Sequence, residues 1–200
     1  MKKLKKTLIL TISFGLIALM LGACASKSEQ AESPDSKAKF EETMYTRYNI
    51  HYYERGSDLV ASCVNYIDAP GHGILEYNTE CKLEEWEGRG FKIMPKDTQM
   101  VIYFKYSQKY MPGTTLEEYV DLIMSKEPVS YKDLSSKDRE GIEIGEAKTG
   151  MSKQGVKVAL GYPAKHRTPS LENDTWTYWQ NRFNTRVIHF NDQDKVTDIK

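Results

Sequence analysis

Two groups of side chains in this sequence have the residue types that acid–base or nucleophilic catalysis requires. Glu84, Glu85 and Glu87 form a run of carboxylates around Trp86. Neighbouring side chains of a strand point to opposite faces, so adjacent carboxylates do not make the facing pair that general acid–base catalysis needs. Ser152 has no histidine at a suggestive spacing, and no Gly-x-Ser-x-Gly motif surrounds any serine. The sequence therefore predicts a protein that is not an enzyme.

Cys24 is a candidate for covalent modification, because the segment before it has the layout of a secretory signal. Residues 1–6 contain four lysines, residues 7–20 carry no charge, and the small residues Gly22 and Ala23 follow. The apolar run of about 15 residues is shorter than the ~20 residues that a membrane-spanning helix needs. The sequence therefore predicts a signal peptide over residues 1–23.

Leu21, Gly22, Ala23 and Cys24 resemble the bacterial lipobox. This resemblance implies that Cys24 carries acyl chains such as palmitate, becomes the first mature residue and tethers a lipoprotein to a membrane outside the cytoplasm. Several acyl chains anchor stably, because each buried CH₂ contributes about 0.8 kcal/mol. Ala25, not Asp, follows the cysteine, which in a cell with two membranes implies the outer membrane, facing the periplasm. The alternative is an ordinary signal peptide with an incidental cysteine.

Residues 24–40 are expected to form a flexible linker behind the lipidated cysteine. Residues 25–39 are small, polar and charged, and they show no apolar periodicity. Such a segment buries too little surface to order itself. When fully extended, it reaches at most about 50 Å from the lipid.

The balance of charge argues against a nucleic-acid partner. The chain has 28 basic and 28 acidic residues, and removal of the four signal lysines leaves 24 against 28. Binding to nucleic acid requires clustered positive charge, so we expect no such partner. The 13 tyrosines outnumber the 6 phenylalanines, which indicates half-exposed aromatic side chains of the kind that suit interfaces.

Cys63 and Cys81 are the two other cysteines, and in an exported chain they predict a disulfide. The bond would close a loop of about 18 residues and stabilise the fold by on the order of 3 kcal/mol. Two buried free thiols or a pair of metal ligands are the alternatives. His72 lies between the cysteines, but no CxxC or HxxxH spacing accompanies it, so neither a metal nor another cofactor is expected.

Residues 41–110 are predicted to form a small β-rich module. Turn residues separate short runs rich in Tyr, Val and Ile, at residues 47–53, 59–64, 80–86, 91–94 and 100–106. These intervals indicate antiparallel strands in a small barrel or meander. The layout is similar to a bacterial SH3-like module. The aromatic residues that such a module would offer to a glycan are Tyr48, Tyr52, Tyr53 and Trp86.

Residues 111–200 are predicted to form an α+β domain. The cap residues of its helices are Thr114 or Thr115, Ser135 with Asp138 three residues later, and Ser152, with Gly161 at the end of the last helix. Three strands follow, over residues 175–180, 186–190 and 196–199. Helices followed by an antiparallel sheet fit an α+β layer.

Four motifs in this domain together resemble the SmpA/OmlA (BamE-like) lipoprotein domain. They are Gly-Met-Ser at residues 150–152, Leu-Gly-Tyr-Pro at 160–163, Trp-Thr-Tyr at 176–178, and the strand at 187–190. The resemblance covers residues 145–200 and implies a helix–helix–antiparallel-sheet fold, related to the BLIP-type fold. It also implies a non-enzymatic helper of outer-membrane β-barrel assembly. Gly155 departs from the pattern, because glycine is about 1 kcal/mol worse than alanine inside a helix.

One face of the C-terminal sheet is expected to be core, and the other is expected to dock on the β-rich module or on a partner. Alternation places Trp176 and Tyr178 under the helix and Trp179 on the opposite face, and it separates Ile188 from His189 in the same way. The candidate partner-binding residues are Trp179, Arg182, His166, Arg167, Tyr162 and His189. The arginines have the chemistry to bind a lipid headgroup or a carboxylate. The alternative is an ordinary solvated loop and hairpin.

The leading hypothesis for function is a non-enzymatic envelope lipoprotein that binds protein or membrane partners. Its partners would include the β-barrel assembly machinery, and its role would be outer-membrane assembly or envelope integrity. The alternative is a lipoprotein that binds cell wall or glycan through the SH3-like module. The aromatic residues of that module motivate the alternative.

Overall fold

A curled, eight-stranded sheet is the largest element of the structure, a computed structural model that describes Phe40 and residues 42–67 and 71–200. Its strands in chain order are β1 (Thr43–Thr46), β2 (Ile50–Arg55), β3 (Asp58–Ser62), β4 (Gly73–Leu75), β5 (Glu80–Trp86), β6 (Gly90–Pro95), β7 (Ile102–Lys105) and β8 (Met124–Ser125). The expected signal peptide, the lipidation site at Cys24 and residues 25–39 of the linker lie outside the described residues.

The connection between β1 and β2 requires this sheet to curl. The spatial order is β4-β2-β3-β7-β6-β5-β1-β8, so four strands separate β1 from β2. In a flat sheet they would lie about 24 Å apart, at about 4.8 Å per strand. Thr46 and Ile50 are only four Cα steps apart, which span at most about 15 Å. The sheet therefore bends into a half-barrel that brings its two ends together.

Three short helices and a second sheet complete the described part of the chain. The helices are α1 (Leu116–Ile123), α2 (Ser136–Ile144) and α3 (Lys153–Leu160), and the sheet contains β9 (Thr175–Trp179), β10 (Thr185–Phe190) and β11 (Val196–Ile199) in the order β11-β10-β9. The expected caps are confirmed. Thr115 and Ser135 each form a capping box, Ser152 accepts a hydrogen bond from the Gly155 N–H, and Gly161 follows α3 with a φ of 80°.

The predicted fold class is wrong. We expected an SH3-like module followed by a separate helix–helix–sheet domain of the BamE-like kind, but the described chain is dominated by the eight-stranded sheet. Strand β8, which follows α1, pairs with β1 at the edge of that sheet. A single hydrophobic cluster also contains buried side chains from both halves, among them Phe91, Phe104, Leu160 and Trp176. Local caps and alternation do not report which distant strands pair, so the sequence suggested two modules.

The C-terminal end of α3 is buried, and its carbonyl groups accept hydrogen bonds from several other elements. The Val158 carbonyl accepts from the Asn49 N–H at 2.9 Å, and the Ala159 carbonyl lies 2.8 Å from His51 Nε2. Because a carbonyl only accepts, Nε2 of His51 must carry the proton. The last four carbonyls of a helix have no partner within the helix, so these donors satisfy groups that would otherwise be costly to bury.

Asn65 and Tyr178 complete the same set of contacts. Asn65 Nδ2 donates to the carbonyls of Leu160, at 3.2 Å, and Tyr162, at 3.0 Å. The Tyr178 hydroxyl donates to the Gly161 carbonyl at 3.0 Å. The end of α3 is thereby bonded to strand β2, to the segment after β3 and to strand β9.

Asp138 joins the N-termini of α2 and α3. Its fully buried carboxylate accepts hydrogen bonds from the backbone N–H groups of Ser135, at 2.8 Å, and Ser152, at 2.7 Å, and from both serine hydroxyls. Burial by itself raises the pKa of Asp138, but the hydrogen bonds from Ser135 and Ser152 outweigh it, and the pKa is lowered. This contact explains why residue 155 is a glycine, because a Cβ at that position would lie 2.1 Å from the Asp138 carboxylate.

The expected disulfide between Cys63 and Cys81 is also wrong, because both thiols are free. Cys63 follows β3 and Cys81 lies in β5, and strands β7 and β6 separate these two strands in the sheet. Three strand spacings amount to about 14 Å, well beyond the 4.4–6.8 Å between Cα atoms that a disulfide requires. Burial raises the pKa of the Cys63 thiol to about 11 and that of the Cys81 thiol to about 12.

We expect Asn49→Ala to lower the free energy of unfolding by about 2–4 kcal/mol, measured by urea denaturation. The buried side chain donates to the Ile142 carbonyl at 2.7 Å and accepts from the Tyr77 N–H at 3.0 Å, so the substitution leaves two buried groups unsatisfied. Asn173→Ala, at an exposed position, is the matched control and should change stability by less than about 0.5 kcal/mol. Equal small effects for the two variants would contradict the structural role of Asn49.

We expect Asp138→Asn to destabilise the protein at neutral pH by an amount that shrinks as the medium is acidified. The pKa of Asp138 is lowered in the folded state, relative to about 3.9 in the unfolded state. Its ionised form therefore stabilises the fold fully above about pH 3.9, and this contribution disappears as the pH falls through the lowered folded pKa. Urea denaturation at pH 7 and at pH 3 measures the change, with Asp133→Asn as an exposed control. A difference that grew at pH 3 would refute this assignment.

Candidate ligand-binding cleft

An open cleft of about 670 Å³ is lined by residues of β2, β3 and β7, of the β5–β6 hairpin and of the segments that follow β3 and β7. Its volume falls within the range of about 300–1,000 Å³ that is typical of ligand sites. Six aromatic side chains line it, namely Tyr53, Tyr66, Trp86, Tyr103, Tyr106 and Tyr110. Four charged side chains join them, namely Arg55, Asp58, Arg89 and Lys105.

Strand alternation builds the floor of the cleft. On β7, Ile102 and Phe104 are 0% and 1% exposed in the core, so Tyr103 and Lys105 point to the opposite face. The parallel pairing of β3 with β7 sets Val60 opposite Tyr103 and Ser62 opposite Lys105. These four side chains lie across two neighbouring strands and share one surface.

Trp86 and Arg89 form one wall, at the hairpin that joins β5 to β6. The indole of Trp86 meets Tyr103 edge-on, with ring centroids 5.1 Å apart, and the Arg89 guanidinium lies 5.6 Å from the Trp86 ring. Gly90 pairs with Trp86 on one side and with Lys105 on the other. Only glycine fits there, because φ is 138° and a Cβ would lie 2.1 Å from the Phe104 carbonyl oxygen.

Tyrosines form the other wall. The rings of Tyr53 and Tyr66 lie 6.1 Å apart, and Tyr106 donates its hydroxyl hydrogen to the Thr114 carbonyl. Burial raises the pKa of Tyr66 and raises that of Tyr106 to about 12, so both hydroxyls keep their protons at neutral pH. The hydroxyls of the other four cleft tyrosines, Tyr53, Tyr66, Tyr103 and Tyr110, have no hydrogen-bond partner within residues 42–67 and 71–200.

Basic groups outnumber acidic ones in the cleft. No described carboxylate lies within salt-bridge distance of Arg55, Arg89 or Lys105. Burial lowers the pKa of Lys105, and the positive charges of Arg55 and Arg89 lower it further, against a smaller opposite effect of Asp58. The cleft is therefore suited to receive negative charge.

The described lining supplies binding groups and no acid–base pair. Asp58 is its only carboxylate, and no histidine belongs to it. The Cys63 thiol lies in the lining, but burial raises its pKa to about 11, which keeps it in the weakly nucleophilic protonated form at neutral pH.

The residues that the sequence offers for catalysis do not line the cleft. Glu84, Glu85 and Glu87 are exposed, and Glu84 forms an ion pair with Lys92 across β5 and β6. Ser152 caps α3.

Three of the six candidate partner-binding residues come together beside the cleft. The ring of His166 stacks on that of Trp179 at a centroid distance of 6.0 Å, and the Arg167 guanidinium lies 5.6 Å from the Trp179 ring. His166 also meets Tyr110, a cleft residue, at 5.1 Å. This stack supports the tyrosine wall from behind.

The other three candidates lie apart from that stack. Arg182 is exposed at the tip of the β9–β10 hairpin, 4.4 Å from the ring of Phe183. Tyr162 is half-buried against the core cluster. His189 lies on the outer face of β10, where its Nδ1 is 3.3 Å from the Thr175 hydroxyl. The predicted faces of this sheet are confirmed, because Trp176, Tyr178 and Ile188 are at most 1% exposed, whereas Trp179 and His189 are half-buried.

Sequence reasoning found two residues of the cleft and missed most of the others. The sequence offers Tyr53 and Trp86 as glycan-binding aromatics, and both line the cleft. Tyr48 is 9% exposed, and Tyr52 packs on Gly73, so neither contributes. The alternation of Tyr103 and Lys105 with buried neighbours was a usable signal, but it did not show which strand lies beside β7.

Comparisons with protein-family models, with curated proteins and with solved structures gave no match. The SmpA/OmlA resemblance therefore stays a prediction about four sequence motifs. Over Phe40 and residues 42–67 and 71–200, no helix is long and apolar enough to cross a membrane. The same residues contain no group of three or more His, Cys, Asp or Glu side chains placed to hold a metal ion.

Proposed function

We propose that this chain is a non-enzymatic, lipid-anchored protein of the cell envelope and that its cleft binds a glycan. The observation that carries the proposal is the cleft of about 670 Å³ with one tryptophan and five tyrosines in its lining. Four of these tyrosines have hydroxyls without a partner among the described residues.

Aromatic side chains with polar tips suit the surface of a sugar. A sugar ring has an apolar C–H face that packs on a flat aromatic ring, and hydroxyls around its rim that exchange hydrogen bonds with tyrosine. Tyrosine and tryptophan combine a large apolar surface with a polar group. The open shape leaves room for a chain of sugars to extend beyond the cleft.

The chemistry of the lining favours binding over catalysis. Its single described carboxylate, Asp58, has no second acid at the cleft, whereas glycoside hydrolysis generally uses a pair. The signal-like segment and the lipobox resemblance support a location where envelope glycans occur, which in a cell with two membranes is the outer membrane facing the periplasm. The nucleic-acid partner that the overall charge disfavours is not part of the proposal.

A second candidate is a role in binding an envelope protein, including a component of β-barrel assembly. Phe183 favours it, because this hairpin-tip side chain is 75% exposed and stacks with Arg182. The contradicted BamE-like fold no longer supports it. Crosslinking from position 183 in intact cells tests this candidate, which fails if no envelope protein is recovered above background.

We expect Trp86→Ala to lower the affinity of the protein for purified cell wall by between about 10- and 150-fold, measured by co-sedimentation. Burial of one aromatic side chain contributes about 1.5–3 kcal/mol, which corresponds to this range. Trp86 is only half-buried in the protein, so the variant should keep its fold.

Phe183→Ala is the matched control, because it removes an exposed aromatic ring that does not line the cleft. Its affinity for wall should equal that of the unmodified protein. Equal binding by Trp86→Ala and the unmodified protein would refute the cleft as the glycan site. Loss with Phe183→Ala alone would also refute the cleft and would assign wall binding to the β9–β10 hairpin.

A further inference from the structure

We infer that the ligand of the cleft is an acidic glycan, a chain of sugars that carries at least two carboxylate or phosphate groups, received by Arg55, Arg89 and Lys105. This inference rests on the proposed function and specifies its ligand. It depends on where these three basic side chains lie and on what surrounds them.

The three groups border one continuous surface. Lys105 lies on β7, in the floor of the cleft, and its register partners are Ser62 on β3 and Gly90 on β6. Gly90 has no side chain, so nothing separates Lys105 from the Trp86 wall at that position. Arg89 lies over the Trp86 ring, and Arg55 ends β2 at the other side of the floor. Sugar rings that pack on Trp86 and Tyr103 would therefore have basic groups on both sides.

Several lysines elsewhere in the described part of the chain are paired with acids. Lys96 bonds Glu80 at 2.9 Å, Lys126 lies 2.8 Å from Glu42, and Lys153 lies 2.7 Å from Asp194. By contrast, Arg55, Arg89 and Lys105 have no such partner among the described residues. The chain as a whole is neutral, with 28 basic and 28 acidic residues, so this local excess is a property of the cleft.

Asp58 does not neutralise the excess. It is the register partner of Arg55 across β2 and β3, but it is exposed, and its one described side-chain contact is with the Ser57 hydroxyl at 3.5 Å. The pKa of Lys105 is lowered first by burial and then by the positive charges of Arg55 and Arg89. The three basic groups therefore lie close enough to interact electrostatically.

The chemistry of these groups selects the ligand. A guanidinium offers a fork of donors that matches carboxylate or phosphate oxygens, and a lysine adds a compact positive charge. A cationic ligand, of the kind that aromatic cages otherwise bind, would be repelled. The three basic groups and the one acid give the cleft a net formal charge of +2. A ligand with two or more anionic groups neutralises this charge.

The test is a titration calorimetry comparison that uses the full lipidated protein in detergent micelles. The first pair of probes is the tetramer of galacturonic acid and the same tetramer with methyl-esterified carboxyl groups. The second pair is phosphorylated maltotetraose and maltotetraose. Inorganic tripolyphosphate, which has charge and no sugar ring, is the fifth probe.

We expect a charged tetramer to bind at least about tenfold more tightly than its neutral counterpart, the effect of one charged hydrogen bond. The preference should decline with added salt, because partly exposed charges are screened. Arg89→Gln and Lys105→Gln should each reduce it. Lys96→Gln, which removes a paired lysine outside the cleft, should leave it unchanged. The pair that shows the preference identifies carboxylate or phosphate as the recognised group.

The outcomes separate the inference from the proposed function. If neutral and charged tetramers bind equally, with Trp86→Ala weakening both, the inference is overturned and glycan binding stands. If tripolyphosphate binds as tightly as any tetramer and Trp86→Ala has no effect, glycan binding itself is overturned. The comparison of probes on the unmodified protein decides the question even if a variant fails to fold.

Discussion

The buried C-terminal end of α3 is the constraint on which the rest of the structure depends. Four successive carbonyl groups, of residues 158–161, accept hydrogen bonds from Asn49, His51, Asn65 and Tyr178. Each would cost on the order of 1–3 kcal/mol if it were buried without a donor. The donors belong to different elements, so this one helix end fixes the large sheet and the three-stranded sheet to a common core.

The same elements that hold α3 also form the cleft. His51 and Tyr53 lie two residues apart on β2, and Asn65 directly precedes Tyr66. A side chain that donates to α3 is thus followed within two residues by a side chain that lines the cleft. Outside these two segments, the stack of His166 and Trp179 contacts the ring of Tyr110, another cleft residue. Because the aromatic walls are attached to the core, they would need little ordering to bind the proposed glycan, which would favour affinity.

Local features of this fold were predictable from the sequence, and non-local ones were not. Thr115, Ser135, Ser152 and Gly161 begin or end helices as expected, because capping depends on residues within one turn. Alternation correctly assigned the buried face of β9. No local signal shows that β3 lies parallel to β7, or that two strands separate Cys63 from Cys81. The fold class and the disulfide were wrong for this reason.

Only a small part of the cleft was predictable, for the same physical reason. Composition draws attention to tyrosine, and two of the four aromatic residues that the sequence offers, Tyr53 and Trp86, line the cleft. Alternation alone does not place Lys105 in the cleft, because its position there depends on the insertion of β7 between β3 and β6. Arg55 and Arg89, 34 positions apart in the chain, act on Lys105 together only in the curled sheet.

The most direct test of the account is to locate the ligand by the indole N–H resonances of the three tryptophans. Only Trp86 lines the cleft, whereas Trp176 is buried in the core and Trp179 lies in the stack beside it. A ¹⁵N-resolved titration with an acidic sugar tetramer should shift the Trp86 resonance and leave that of Trp176 in place, with accompanying shifts at the amides of Tyr103 and Lys105. A shift confined to Trp179 and the outer face of β10 would contradict the account and assign binding to the C-terminal sheet.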